Sequence, residues 1–485
     1  MSSKKIIMSM QRTIAVHPTG WKDEPLEQRI ELSALDHAMP KIYVLMVLVY
    51  QLPEQYSEEK VIQSMRGGLE ITLSQFPVLA GTLQSKEDNT LWVLRKKERT
   101  VDLIINHIED GITTYEELER RDFSASLLDG SKLVPKAATE TQLFRGDNTE
   151  KDIFISAFQV NFIKGGLILG LAIHHNVSDG PGCDGFLTTW AENSKAVADG
   201  TQIPPFNPEN LDRSRLSSKN IPDDARMEEL QRKLPAFKHI KEPPAPPPAD
   251  FVMPEMTQVM WHFPKSKLVK LKALCKSAGG DETNWVSTYD CMMGLLWKTM
   301  TRAKVPLLNP DMSSESILMH AVNNRQMLDP PLPDRYLGNA VSLASTHRRT
   351  IRDVLDMTAA EGAAMVRASI KRITNDSIHD LADWIAGTPN KSWIGMELNA
   401  FLGMDLAGTS WTKMTSYTSH DFGFGLPKAV RFPKPDWEGY VFVYPQRIKD
   451  DSDEGFECCV LLEKGCQERL MKDEELLAFA APRGL

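Results

Sequence analysis

The sequence predicts an α/β protein in two domains, and three observations predict it. Strand-length apolar runs alternate with segments of helical period, the 485 residues exceed what one hydrophobic core usually serves, and a proline-rich stretch divides the chain near its middle. Between about 203 and 256 the composition changes to PPFNPENLD, then to a short charged helical piece at 223–232, then to KEPPAPPPADFVMP. Prolines at 243, 244, 246, 247 and 248 impose extended, polyproline-like backbone, which suits a spacer better than an SH3-type ligand in a chain of this size. The domains expected are therefore 1–205 and 256–485, joined by a crossover at 206–255.

The elements follow in order. The run 42–50 is apolar without interruption, as a strand buried on both faces requires. Glu58–Gln75 places Val61, Ile62, Met65, Leu69 and Leu73 at helical spacing and stops at Phe76-Pro77, because proline disfavours helical backbone in the residue before it. Residues 79–83 and 91–94 form a short hairpin. After a loop-rich region at 122–150, residues 153–175 make two long strands joined by Lys164-Gly165-Gly166, then a loop, then a helix marked by Phe186, Leu187 and Trp190. Beyond the crossover come a strand at 257–263 and an amphipathic helix with Leu268, Leu271 and Leu274 facing inward. Lys265, Lys267, Lys270, Lys272 and Lys276 cover its other side, as either a solvated face or a phosphate-binding one. A largely buried helix follows at 287–302.

Composition narrows the function. The formal net charge of -9 opposes a nucleic-acid partner, whose phosphates demand a basic face. Cys183, Cys275, Cys291, Cys458, Cys459 and Cys466 show no C-x-x-C spacing, so a reduced, intracellular protein is expected. The N-terminal MSSKKIIMSMQRTIAVHP has no apolar core of signal-peptide length, and no later run reaches membrane-spanning length. A cytoplasmic protein with no membrane partner is expected.

The stretch LILGLAIHHNVSDGPGCDGFL, 167–187, organises the rest. It reads strand, loop, helix, and its loop carries His174, His175 and Asp179. An imidazole at a strand end with a carboxylate four residues on sits beside a buried sheet, where a base can be oriented and partly desolvated. Gly180, Gly182 and Gly185 formally satisfy G-x-G-x-x-G, but a dinucleotide loop needs its first glycine at the strand end. Here His174 to Asp179 intervene, and Pro181 removes a backbone donor. A metal set of His174, His175 and Asp179 is disfavoured because adjacent residues on a strand point apart and no further ligand follows at metal spacing. No G-x-S-x-G elbow exists for a serine hydrolase. Three later segments look specialised: VNNRQMLDPPLPDRYLGN at 322–339, GTSWTK at 408–413 and HDFGFGLPK at 420–428.

His175-Asn176-Val177-Ser178-Asp179-Gly180 resembles the H-x-x-x-D-G motif of the BAHD acyltransferases, and Asp421-Phe422-Gly423-Phe424-Gly425 resembles their D-F-G-W-G motif. LSALD at 32–36, FPVLAGTL at 76–83, the NFIKGG turn, the Trp297 helix, PPLP followed by Y-x-G-N, and T-S-W at 409–411 agree along nearly the whole chain. NFIKGGLIL and SWTK ahead of the D-F-G-x-G loop are similar to the fungal trichothecene 3-O-acetyltransferases. The resemblance implies two chloramphenicol-acetyltransferase-like domains, each a mixed sheet with flanking helices, with a channel between them. Acyl-CoA, with acetyl the expected group, enters as co-substrate from one side, and a small acceptor with a hydroxyl or amine enters from the other. No cofactor or metal is permanently bound, and a monomer is expected.

The residue roles implied are these. His175 is the general base that removes the hydroxyl proton, a task for which an imidazole neutral at pH 7 is suited. Trp411 and Thr409 are candidate donors to the carbonyl oxygen, where charge develops in the tetrahedral intermediate. Packed core is the alternative for Trp411. Asp179 and Gly180 hold the loop, Asp179 by pairing with an arginine. Asp421, Gly423 and Gly425 are structural, with Asp421 paired to Arg325 of the PPLP segment. Phe424 replaces the usual tryptophan and keeps a packing role. Lys265, Lys267, Lys272, Ser287 and Ser410 are the candidate CoA contacts. His174 points to the opposite strand face. Two other readings stay open: a condensation-type enzyme that uses carrier-bound thioesters, and a catalytically silent small-molecule-binding protein.

Overall fold

The computed structural model describes residues 11–108, 114–140, 153–218, 221–242, 250–277, 285–433 and 437–485. The first ten residues, the prolines at 243–248 and 141–152 of the loop-rich region lie outside these residues.

Two large mixed sheets organise the fold. One has six strands in the order Arg12–Val16, Val101–His107, Ser156–Ile163, Gly166–His174, Tyr43–Gln51 and Ala429–Arg431. Its centre is the hairpin expected at 153–175, and every residue of both hairpin strands is buried. Gly165 turns the chain between them with φ +75°, a conformation that costs glycine little. The second sheet has seven strands in the order Val341–Ser345, Leu318–Asn323, Leu406–Ser410, Tyr440–Val443, Phe456–Glu463, Met256–Phe263 and Ala481–Arg483.

Helix Glu58–Gln75 occupies its expected span and lies against helix Gly180–Asp199, which follows the His175 loop. Close approach is possible because residue 68 is glycine: a Cβ there would lie 2.5 Å from the Ser194 backbone nitrogen. Trp190 donates its indole N–H to Met65 O at 2.8 Å, and Asn193 donates to Thr72 Oγ1 at 2.9 Å. These bonds fix the helix that carries Asp179 at its head.

Helices Lys265–Ser277, Thr288–Leu308 and Ala359–Lys371 pack together around the core of the second sheet. The inward stripe of the first differs from expectation. Leu268 and Leu271 are buried, but Leu274 is 56% exposed and Cys275 takes the inward place. Residues at i, i+3 and i+7 share one helix face, and residue 274, at i+6, is rotated off it.

Strand Ala429–Arg431 belongs by sequence to the second half yet completes the first sheet, pairing antiparallel with Tyr43–Gln51 in the register Ala429↔Val49. Within 221–242, helix Asp224–Lys233 buries Leu230, and strand Phe237–His239 pairs with Ile394–Met396. Among the described residues no helix is long and apolar enough to cross a membrane.

Candidate active site

Strand Gly166–His174 ends in register with Tyr43, and the next residue, His175, donates its backbone N–H to Ile42 O at 2.7 Å. The chain then folds back, Val177 N donating to His174 O at 2.8 Å, and Asp179 caps helix Gly180–Asp199 through Gly182 N at 2.8 Å. Alternation along the strand separates the two histidines, as expected. His174 is fully buried, edge-on to Tyr43, and burial together with His175 and Lys41 pushes its pKa to about 3. His175 is only half-buried, and burial holds its pKa below the ordinary histidine value. Both rings are therefore neutral at pH 7.

The tautomer of His175 follows from its neighbours. Its Nδ1 lies 3.2 Å from Asn339 Oδ1. The Asn339 amide nitrogen donates to Asp36 Oδ1 at 2.8 Å and to His175 O at 2.7 Å, so the amide cannot turn and its oxygen must face the ring. Nδ1 is then the N–H donor, and Nε2 carries the lone pair. Nε2 has no hydrogen-bond partner among the described residues.

Asp36 is fully buried and saturated. It accepts from Ser33 N and Oγ at 2.8 Å each, from Asn339 N at 2.9 Å and from Arg213 Nη1 at 2.5 Å. Arg213 also donates to Val177 O at 2.8 Å, inside the loop itself. LSALD and Y-x-G-N are points of family resemblance in the sequence, but the resemblance assigns Asp36 and Asn339 no role. The signal available in the sequence is an aspartate directly after Leu35, shortly ahead of the apolar run 42–50.

Asp179 is turned into a separate buried pair. Arg325 donates to both of its oxygens at 2.9 and 2.8 Å, and Ala340 N adds a third bond at 2.9 Å. The same guanidinium reaches Tyr336 O at 2.8 Å, which ties the loop to segment 325–340. The arginine partner expected for Asp179 is thus Arg325.

The pairing of Arg325 with Asp421 is therefore corrected. Asp421 bonds Lys195 Nζ at 2.6 Å and accepts from Gly423 N and Gly425 N at 2.9 Å each. Those glycines have φ of +101° and +109°, which the turn requires. The reason is distance: Lys195 lies on the same helix as Asp179 but sixteen residues further on, roughly 24 Å by helical rise. Arg325, buried beneath the helix's first turn, cannot serve both ends. Phe424 has the packing role expected of the usual tryptophan, edge-on to Tyr50 and stacked with Phe422.

Trp411 follows strand Leu406–Ser410 and donates its backbone N–H to Val443 O at 2.8 Å. Its ring packs edge-on against Phe442 and Tyr444, and only 5% of the residue is exposed. The packed reading is therefore right for the ring. The indole Nε1 nevertheless has no hydrogen-bond partner among the described residues, and it meets the His175 loop. A Cβ on Gly180 would lie 3.1 Å from Nε1 and 2.8 Å from Met414 Cε, so glycine here lets the T-S-W segment touch the loop. Thr409 is half-buried in register with Phe442, and the Ser410 hydroxyl is shared with Thr412 Oγ1 at 2.8 Å.

The remaining candidate contacts lie elsewhere. Lys267 Nζ donates to Ala478 O at 2.9 Å, Lys272 Nζ sits over the Trp285 ring at 5.5 Å, and Lys265 begins the same helix. Among the described residues none of the three has a carboxylate within ion-pair distance. Ser287 caps helix Thr288–Leu308 in a reciprocal box with Asp290, so its hydroxyl already has a structural task. Among the described residues no group of three or more His, Cys, Asp or Glu could hold a metal ion.

The loop thus carries a neutral imidazole whose Nε2 holds the lone pair, and an indole N–H without a hydrogen-bond partner among the described residues meets that loop at Gly180. The model of the Transferase family matches residues 18–477, and the chain belongs to that family, the BAHD acyltransferases. It is an acyltransferase. It is 28% identical over 495 residues to the acetyltransferase FGR3 of Gibberella zeae, covering 99% of this chain and 95% of that protein. Against the trichothecene 3-O-acetyltransferase TRI101 of Fusarium sporotrichioides the identity is 25% over 468 residues, covering 93% and 95%. The crystal structure of F. sporotrichioides TRI101 complexed with coenzyme A and T-2 has the same fold, with a TM-score of 0.76 at 21% identity over 94% of this chain and 99% of that one.

Proposed function

We propose that this protein transfers an acyl group, acetyl by similarity to its relatives, from acyl-CoA to a hydroxyl of a small secondary metabolite. His175 Nε2 takes the proton of the hydroxyl as its oxygen attacks the thioester carbonyl. The tetrahedral intermediate collapses, the carbon–sulfur bond breaks, and the proton on Nε2 passes to the departing CoA thiolate. Both substrates are bound together and no acyl-enzyme forms. The observation that carries this reading is the locked Nδ1–H of His175 against Asn339, which leaves Nε2 as the basic nitrogen. Positioned general-base help is worth about two to four powers of ten in rate.

The Trp411 indole N–H and the Thr409 hydroxyl are the proposed donors to the developing oxyanion. Lys265, Lys267 and Lys272 are proposed to meet the CoA phosphates, with Ser410 on the path. Ser287 contributes its backbone position rather than its capping hydroxyl. The site lies between units 1–205 and 256–485 of a cytoplasmic monomer.

The test is to incubate the purified protein with acetyl-CoA and hydroxylated metabolites of its host, and to follow thiol release and acetylated product by mass spectrometry. Thiol release with acceptor acetylation, lost in His175→Ala while CoA affinity persists, is the expected result. Consumption of a carrier-bound thioester with none of free acetyl-CoA would replace this reading with the condensation-type one.

A further inference from the structure

The first turns of helix Gly180–Asp199 carry a carboxylate that the H-x-x-x-D-G motif does not include. Asp184 is one turn beyond Gly180, hence on the same face, and only 7% exposed. Its Oδ2 accepts from Thr415 N at 2.8 Å and Thr415 Oγ1 at 3.0 Å, and its Oδ1 accepts from Ser416 Oγ at 3.1 Å. His420 Nε2 lies 3.2 Å from Oδ1 and 3.3 Å from the Asp184 backbone oxygen. Both neighbours are acceptors, so Nε2 carries the proton and donates. His420 is fully buried, and its own carbonyl accepts from Tyr50 Oη at 3.2 Å. One buried carboxylate thus gathers the segment that begins just after Met414, whose backbone N–H bonds Trp411 O at 2.9 Å. Met414 Cε and Trp411 Nε1 are the two atoms that crowd Gly180.

We infer that Asp184 and His420 are positioning residues for the reaction: they clamp segment 415–420 to the helix that leaves the His175 loop, and so fix the Trp411 indole N–H over Gly180. The inference rests on the reading of Trp411 as oxyanion donor. Neither residue touches substrate. Removing Asp184 leaves buried donors without an acceptor, removing His420 takes one of the carboxylate's four donors, and in either case the segment relaxes away from the loop.

The experiment uses the full chain with acetyl-CoA as the probe, following thiol release by hydrolysis. In parallel, protein labelled with 5-fluorotryptophan is read by 19F resonance, with the Trp411 signal assigned from Trp411→Phe. Asp184→Ala and His420→Ala are expected to lower kcat about 10- to 100-fold, below the loss of a whole oxyanion donor, with KM for acetyl-CoA within about twofold. Both shift the Trp411 resonance. His420→Gln, whose amide N–H replaces the ring donor, restores the resonance and most of kcat. Thr415→Val, which removes one hydroxyl donor at an exposed residue, gives a smaller shift of the same sign and serves if the alanine variants do not fold.

An unmoved Trp411 resonance in folded Asp184→Ala or His420→Ala, or an unchanged kcat, overturns the clamp. Full activity in Trp411→Phe instead overturns the donor reading and with it the catalytic meaning of the clamp. A wild type that releases no thiol overturns the acyl-CoA reading, and the resonance alone then decides whether the clamp holds the indole.

Discussion

Asn339 presents its side-chain oxygen to His175 Nδ1 at 3.2 Å while its amide nitrogen is held by Asp36 Oδ1 at 2.8 Å. The aspartate does not touch the imidazole. It orients the amide, and the amide selects the tautomer. Replacing Asn339 with leucine should lower kcat about 10- to 100-fold with little change in KM, because the ring loses its guide, and cost about 1–3 kcal/mol of stability, because the buried Asp36 and His175 O each lose a donor. Asp36→Asn strands the buried Arg213 and is expected to cost about 3–5 kcal/mol of stability, measured by chemical denaturation. Equal stability losses in the two variants would contradict this division of labour.

The pH profile follows from burial. His175 titrates below the usual histidine value because its charged form is poorly solvated. The base is active when neutral, so kcat/KM should be flat near neutrality and fall only as pH drops through that lowered value. The acid limb of kcat/KM, which reports the free enzyme, is expected below pH 6.5 and absent in His175→Ala. An acid limb centred above 7 would mean that another group is titrating.

Asp179 and Asp421 should separate cleanly in stability measurements. Asp179→Ala leaves Arg325 buried and uncompensated and removes a helix cap, so a loss of about 3–5 kcal/mol is expected. Asp421→Ala removes a partly exposed ion pair and two turn bonds, for about 1–2 kcal/mol. Reversed magnitudes would restore Asp421 as the critical motif carboxylate.

Asp122 ties the first half of the chain to the last strands. Burial would raise its pKa, but Lys449, Arg483 and Arg447 around it hold it down at about 2. A folded value below the unfolded 3.8 means that its contribution is present above the unfolded value and lost as pH falls through the folded one. Between about pH 4 and pH 2 the wild type should therefore lose more stability than Asp122→Asn, as urea denaturation at each pH would show.

Much of the fold was legible because its signals are local. The helix Glu58–Gln75 announces itself by five apolar residues at helical spacing and a proline stop, and the hairpin by two apolar runs around Gly165. His175 was legible because a histidine at a strand end, before a helix cap, is a pattern within six residues. Leu274 falls outside the buried stripe because periodicity fixes which residues share a stripe but not where its edge falls against the neighbouring helices.

The sequence by itself determined the order of elements, the α/β class, the candidate base and the two motif loops, since each depends on residues close together in the chain. Only the tertiary structure decided who meets whom. Asn339 reaches His175 across 164 positions and Asp36 across 303, Arg325 chose Asp179 over Asp421, and a strand from the second half closed the first sheet. Such partnerships depend on which buried surfaces come together, and a polar group in a low-dielectric interior pairs with whatever acceptor or donor that packing brings within about 3 Å.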